Sequence, residues 1–269
     1  MSYRNAFSRV LRDVIAPRAE RTGREGRFPR GAVTALGEAG LLGLTVSADL
    51  GGGGRGPAEA AEVVARIAAS CPVTAAVLQS HYAAVAVIEA CGSRWVRGEI
   101  AAGRHLSSLA LADGADGADG AAGTAATRTG EVVALSARKR EVVAAGEADS
   151  YVWSSPPLTA AGGLTLWLVP AHAPDLFVPA RPDGTGPHGS ATSTVLADPV
   201  LVPADAMLGE DGAGHEVVLR TVLPWLLELR DAVGAAAVHP SVAAAEPAPS
   251  AVGGAAQLSA VAPAATALR

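Results

Sequence analysis

Three Asp-Gly pairs, at Asp113, Asp116 and Asp119, are the residues whose spacing first suggests chemistry in this chain. Carboxylates in a glycine-rich run are the raw material of a calcium loop. Loops of the EF type, however, place ligands at every second position and close on a bidentate Glu. Here the carboxylates recur at every third position, and no Glu stands at the closing position. No metal is therefore expected, and a solvated glycine-rich loop accounts for the composition. The six histidines, His81, His105, His172, His188, His215 and His239, make no metal-binding spacing. His215-Glu216 is followed by Val-Val-Leu, so the second His of a zinc-protease helix is missing. The loop "GGGGRGP" at 51–57 lacks both the Lys-Ser/Thr and the preceding strand of a phosphate loop. No Ser stands in a Gly-x-Ser-x-Gly elbow.

Any chemistry must therefore come from groups that the fold brings together. The chain has 269 residues, 49% of them hydrophobic, which is enough for a substantial core. Only 4% are aromatic, so Ala, Val and Leu must fill that core. A net charge of −5 gives no reason to expect nucleic acid or an acidic membrane surface as a partner. Two cysteines, Cys71 and Cys91, lie in apolar helical pattern with no C-x-x-C pair, which suits a reducing cytoplasm. The opening residues "MSYRNAFSRVLRDVIAPRAE" scatter charge through every turn, unlike a signal peptide or a membrane span.

Helical periodicity dominates the first third. Phe7, Val10, Leu11, Val14 and Ile15 recur at helical spacing, and Pro17 is expected to close that run. A second helix follows Pro29, with Val33, Leu36 and Leu41 on one side. "AEAAEVVARIAAS" and "VTAAVLQSHYAAVAVIEACG" predict two more, the latter apolar on nearly every side and so central. The pattern changes near Gly103. "EVVAL", "SYVWSS", "LTLWLVPA" and "STVLADPVLVP" alternate with Gly/Pro/Asp turns, as in a small antiparallel β-barrel or sandwich. Helical pattern returns at "GHEVVLRTVLPWLLELRDAVGAAAV". Four segments are thus expected in an α+β chain: an N-terminal helical bundle over 1–104, a β domain over 105–209, a short helical segment over 210–238, and an Ala/Pro-rich, poorly ordered tail over 239–269.

The order of these segments and four short stretches within them resemble the acyl-CoA dehydrogenase family. "GEAGLLGLTVSADLGGGG" is similar to that family's helix and loop ending in Gly-Gly-x-Gly. "CGSRWVRGEIAAGRHLSSLAL" resembles the lead into its β domain, and "KREVVAAGEADSYVW" its lysine-turn-strand segment. "LADPVLVPADAMLGEDGAGHEVV" is the closest match of the four, and the resemblance covers roughly residues 1–238.

The resemblance implies a flavin, FAD, held near Leu111, Ala112 and Asp113 on one side and Val142 and Val143 on the other. It also implies α-proton removal and β-hydride transfer on an acyl thioester of CoA or acyl-carrier protein. The chain departs from the family at this site. Ala112 replaces a hydroxyl residue, Glu141 stands where an aromatic is usual, and Val143 replaces a Thr. A carboxylate beside a ring that gains electron density opposes reduction, so weak flavin binding is expected. The family's C-terminal helical domain is represented here only as far as 238. One branch of the family carries its base at the position of Pro224. Glu228, one helical turn later, is the candidate base, against the plainer reading of a surface Glu paired with an Arg. A non-catalytic partner subunit on the same scaffold is the alternative function. Nine apolar residues between Val217 and Leu229 predict an uncovered face, hence a homo-oligomer or a heteromer with a full-length relative.

Overall fold

The computed structural model describes residues 2–114 and 124–238. Its first part is helical: α1 (Tyr3–Val10), α2 (Ala19–Glu25), α3 (Arg30–Glu38), α4 (Pro57–Ala68), α5 (Pro72–Cys91) and α6 (Arg94–Ala101). Pro17 does not close the first run. A π-helical turn (Leu11–Ile15) and a 3-10 turn (Ala16–Arg18) carry the chain from α1 into α2. A proline ring collides with the carbonyl four residues back and offers no N–H. Widening the preceding turn relieves both problems without ending the helix. The same device recurs near the C-terminus, where a π-helical turn (Val218–Val222) precedes Pro224.

Helix α5 is buried along most of its length, as its all-round apolar pattern requires. It is the one described helix long and apolar enough to cross a membrane, but 72% of it lies inside the protein. Its core role accounts for the composition. Helices α3 and α6 meet at two glycines. A Cβ on Gly37 would lie 2.3 Å from the Gly103 carbonyl oxygen, and Gly103 adopts φ +72°. Only glycine meets both demands, and this contact sets where the helical part gives way to strands.

The strands are β1 (Ser107–Ala110), β2 (Ala125–Thr129), β3 (Val132–Val142), β4 (Ser150–Ser155), β5 (Thr165–Pro170), β6 (Leu176–Phe177), β7 (Ser193–Pro203) and β8 (Met207–Leu208). They form two four-stranded sheets, ordered β1-β4-β5-β8 and β2-β3-β7-β6, and not a closed barrel. All pairs are antiparallel except β1 with β4. That pair is parallel because the chain leaves β1, builds the β2–β3 hairpin in the other sheet, and returns to β4 from the same end. Residues of both sheets, among them Val133, Trp153, Trp167 and Val195, share one core with Phe7, Leu36, Val64 and Tyr82 of the helical part.

After β8, the short helix α7 (Gly214–Val217) leads through the π-turn into α8 (Leu223–Val238), which packs on α4 and α5. Val222 and Leu229 are buried in this contact, while Leu219, Leu223 and Leu227 remain exposed. The expected excess of apolar surface on this segment is therefore present, concentrated in one row at i, i+4, i+8.

Candidate functional site

Strand β3 alternates strictly, with Val133, Leu135, Ala137 and Lys139 facing inward. The alternation carries a lysine into the core. Lys139 is wholly buried, and its Nζ donates to Asp113 Oδ1 at 2.6 Å and to Ser154 Oγ at 2.7 Å. The ammonium lies 5.4 Å from the Trp153 ring centroid. Burial lowers the Lys139 pKa, and the Asp113 carboxylate acts against that shift. Ser154 passes the contact on, donating to the Leu111 carbonyl at 3.0 Å. Backbone bonds complete the clamp. Gly114 N–H donates to Arg138 O at 2.7 Å, and Arg140 N–H donates to Ala112 O at 2.9 Å. Leu111, Ala112 and Asp113 are thus fixed against β3 from both sides. Asp116 and Asp119 lie outside the described residues.

Beyond Lys139 the ladder slips. Lys139 pairs with Val195 but Val142 with Ser193, so β3 holds one residue more than β7 across this step. Glu141 takes up the bulge with φ 55°. Bulges re-aim side chains, and this one returns Val142 to the core while Glu141 remains exposed. The Glu141 carboxylate accepts from the Thr185 N–H and hydroxyl, both at 2.9 Å. Half-buried Val143 is held by its carbonyl, which accepts from Ser108 Oγ at 2.5 Å. Ser108 in turn contacts Ser80 of α5 at 2.8 Å. One residue on, His81 is fully buried. Its Nδ1 accepts from Ser107 N–H at 3.1 Å, so Nε2 carries the proton and donates to Leu42 O at 3.0 Å. Burial lowers the His81 pKa to about 4, keeping the ring neutral. The segment Leu111–Asp113 is thus bonded to β3 at 138–140, while Val143 is bonded separately to Ser108 of β1. Together these bonds span β1, β3 and α5.

Glu228 is exposed on α8, and Pro224 beside it is exposed as well. The contacts of α8 with α4 and α5 do not bring Glu228 into the bonded unit around β3. Sequence reasoning missed the groups that do the holding: Ser80, Ser108, Lys139 and Ser154. Lys139 was detectable, because the alternation starting at Val133 points it inward. The serines carried no signal until their partners were adjacent. A second anchor was also missed. Asp211 accepts from the N–H groups of Leu158, Thr159 and Ala160 and from the Thr165 hydroxyl, at 2.6–3.0 Å. These bonds outweigh partial burial and hold its pKa far below the usual carboxylate range. They tie the loop after β4 to the turn before α7.

Six helices, two sheets sharing one core with them, a lysine-clamped loop after the first strand and a return to helix define an α+β scaffold. Residues 2–102 match the family described as "Acyl-CoA dehydrogenase, N-terminal domain". The human mitochondrial short-chain specific acyl-CoA dehydrogenase is 31% identical over 219 residues, covering 77% of this chain and 52% of the relative. A probable acyl-CoA dehydrogenase from Mycobacterium abscessus is 28% identical with a TM-score of 0.69, covering 81% of this chain and 60% of that one. KijD3, solved with FMN and a dTDP-linked amino-keto sugar, shares the fold at 24% identity and a TM-score of 0.73, covering 92% of this chain and 65% of that one. Residues 2–102 carry the N-terminal domain of the acyl-CoA dehydrogenase family, and the chain spans about half the length of the human relative.

Proposed function

We propose that this chain is an acyl-CoA dehydrogenase-like flavoprotein whose reaction is the α,β-dehydrogenation of an acyl thioester carried on CoA or acyl-carrier protein. The observation that carries this reading is the clamp. Lys139, Ser154 and the 112–140 and 114–138 backbone bonds hold Leu111–Asp113 rigidly beside the segment leading to Val143. Preorganised backbone of this kind is what a planar cofactor needs along its polar edge. KijD3, on the same fold, was solved with FMN.

The fit is one of frame rather than of side chains. Ala112 and Val143 offer no hydroxyl, and the Asp113 carboxylate is occupied by the Lys139 ammonium. FAD, when bound, supplies the hydride acceptor. Leu111, Ala112, Asp113, Val142 and Val143 would hold it, with binding weaker than in a relative that keeps the side-chain donors. The ion pair makes Asp113 a poor proton acceptor, since taking a proton would strand a buried ammonium. Glu228, exposed on α8 one turn beyond Pro224, is the candidate base that the family resemblance implies. Two free cysteines and no disulfide among the described residues are consistent with work in a reducing cytoplasm.

A second reading is favoured by one observation, the exposed row Leu219, Leu223 and Leu227. Under it the chain is a non-catalytic partner that completes another subunit's site, or a self-associating copy. One experiment separates the readings. The chain is loaded with FAD and mixed anaerobically with butyryl-CoA. Loss of the oxidised-flavin absorbance, removed by Glu228→Gln, is expected of the enzyme. Bound flavin that is never bleached, even in excess thioester, would leave the partner reading.

A further inference from the structure

Residues 1–30 hold eight arginines against three carboxylates, in a chain whose net charge is −5. Much of that charge lines a single cleft of about 470 Å³ between α2, the start of α3 and the first turn of α5. Arg18, Arg21, Arg27 and Arg30 form its rim. One carboxylate, Glu25, serves two of them: Arg21 Nε at 2.6 Å and Arg27 Nε at 3.8 Å. Both arginines help hold the Glu25 pKa below its ordinary value. Arg30 is paired with Glu147. Among the described residues Arg18 has no carboxylate partner, its Nη1 meeting only the Val14 carbonyl at 3.3 Å. Among the described residues, the rim therefore carries surplus positive charge.

The rest of the cleft suits an anion with an apolar body. Ile15 and Phe28 supply apolar lining, and the back wall is the start of α5 at Cys71 and Thr74. That start is buried, and no side chain caps it. A 20-residue helix presents unpaired N–H groups and partial positive charge at this end. Guanidinium forks match phosphate oxygens two at a time, and a diphosphate has enough oxygens to meet several guanidinium groups at once. The volume falls within the range of small-molecule sites, about 300–1,000 Å³.

We infer that this cleft binds a phosphorylated small molecule of the nucleoside diphosphate class, its phosphates on Arg18, Arg21 and Arg27 and its apolar part against Phe28. The site shares no residue with the Leu111–Val143 unit, so the inference stands whether or not that unit holds flavin.

Calorimetric titration of the flavin-free full chain with ADP, and separately with inorganic pyrophosphate, tests it. Saturable one-to-one binding of ADP is expected, weakening as salt is raised. The exposed pair Arg18→Gln/Arg27→Gln should weaken it at least about tenfold. Arg128→Gln, a loss of one charge on β2 outside the cleft's lining, should leave it unchanged. Pyrophosphate binding as tightly as ADP would support the site and assign it to the phosphates alone. Tighter ADP binding would support it and add the nucleoside. The inference is overturned if neither titrant saturates, or if Arg128→Gln weakens binding as much as the double substitution does.

Discussion

The junction around Lys139 and the outer face of α8 are built on opposite principles. At the junction a buried ammonium has a carboxylate, a hydroxyl and an aromatic ring arranged about it. Each bond there fixes a piece of backbone. On the π-turn and α8, Val222 and Leu229 are buried while Leu219, Leu223 and Leu227 are exposed among the described residues. One region is self-sufficient, and the other has apolar surface to spare. The contrast teaches that the backbone around Leu111–Asp113 is held by the chain's own contacts, whereas the outer row of α8 leaves apolar surface exposed among the described residues.

The sharpest way to break this contrast is to charge the inner side of α8. Leu229→Glu places a carboxylate at a fully buried position and should cost at least about 4 kcal/mol, read from urea denaturation. This position tests folding, not association, because Leu229 lies on the packed side of the helix.

Acid should loosen the junction next. His81 is held neutral with a pKa of about 4, below the ordinary 6.5. Between those values the unfolded chain binds the proton that the folded one refuses, so stability falls as pH drops from 6.5 towards 4. The loss attributable to this ring is about 3 kcal/mol. His105 packs nearby and shifts in the same direction. The comparison of native protein with His81→Gln therefore isolates the His81 share, and the substituted protein should show a shallower pH slope across that window.

Asp113→Asn removes the counter-ion and leaves Lys139 charged in the core. The cost should be about 2–3 kcal/mol, below the usual range for a broken buried pair because the Asp113 side chain is 45% exposed. Hydrogen exchange should report the loss locally, with faster exchange at Gly114 and Arg140. The smallest folding effect belongs to the outer row of α8. Leu219→Glu/Leu223→Glu/Leu227→Glu should change stability by no more than about 0.5 kcal/mol per site. Sedimentation should nevertheless show the native protein self-associating and this variant monomeric. Matching sedimentation of the two would remove α8 as an association surface.

Much of the fold was legible in the residue pattern because burial imposes periods of 3.6 and 2. The all-round apolar run of α5, the alternation in β3 and the strands at 150–155, 165–170 and 193–203 could all be read that way. Pro17 misled because a π-turn, which no local preference announces, absorbs it. Strand β1 pairs in parallel with β4 across more than forty residues, a relation that no periodicity encodes. At the site, the resemblance pointed to the segments 111–113 and 142–143, but it did not show the bonds that hold the first segment to residues 138–140. The bulge at Glu141 was not legible either, since a positive φ in a glutamate leaves no mark on composition. It turns the carboxylate to Thr185, so the substitution that looked most hostile to a flavin is partly satisfied by the protein itself.

The central claim is that the clamp preserves a flavin frame whose side-chain donors are gone. Fluorescence titration of flavin-free protein with FAD, alongside Ala112→Thr/Glu141→Trp/Val143→Thr, tests it most directly. The account predicts weak but saturable binding by the native chain and at least about tenfold tighter binding by the triple variant, the worth of one or two restored hydrogen bonds. Native protein that purifies with stoichiometric flavin would contradict the claim that donors are missing. A triple variant that binds no better than the native chain would contradict the claim that the frame awaits only those side chains.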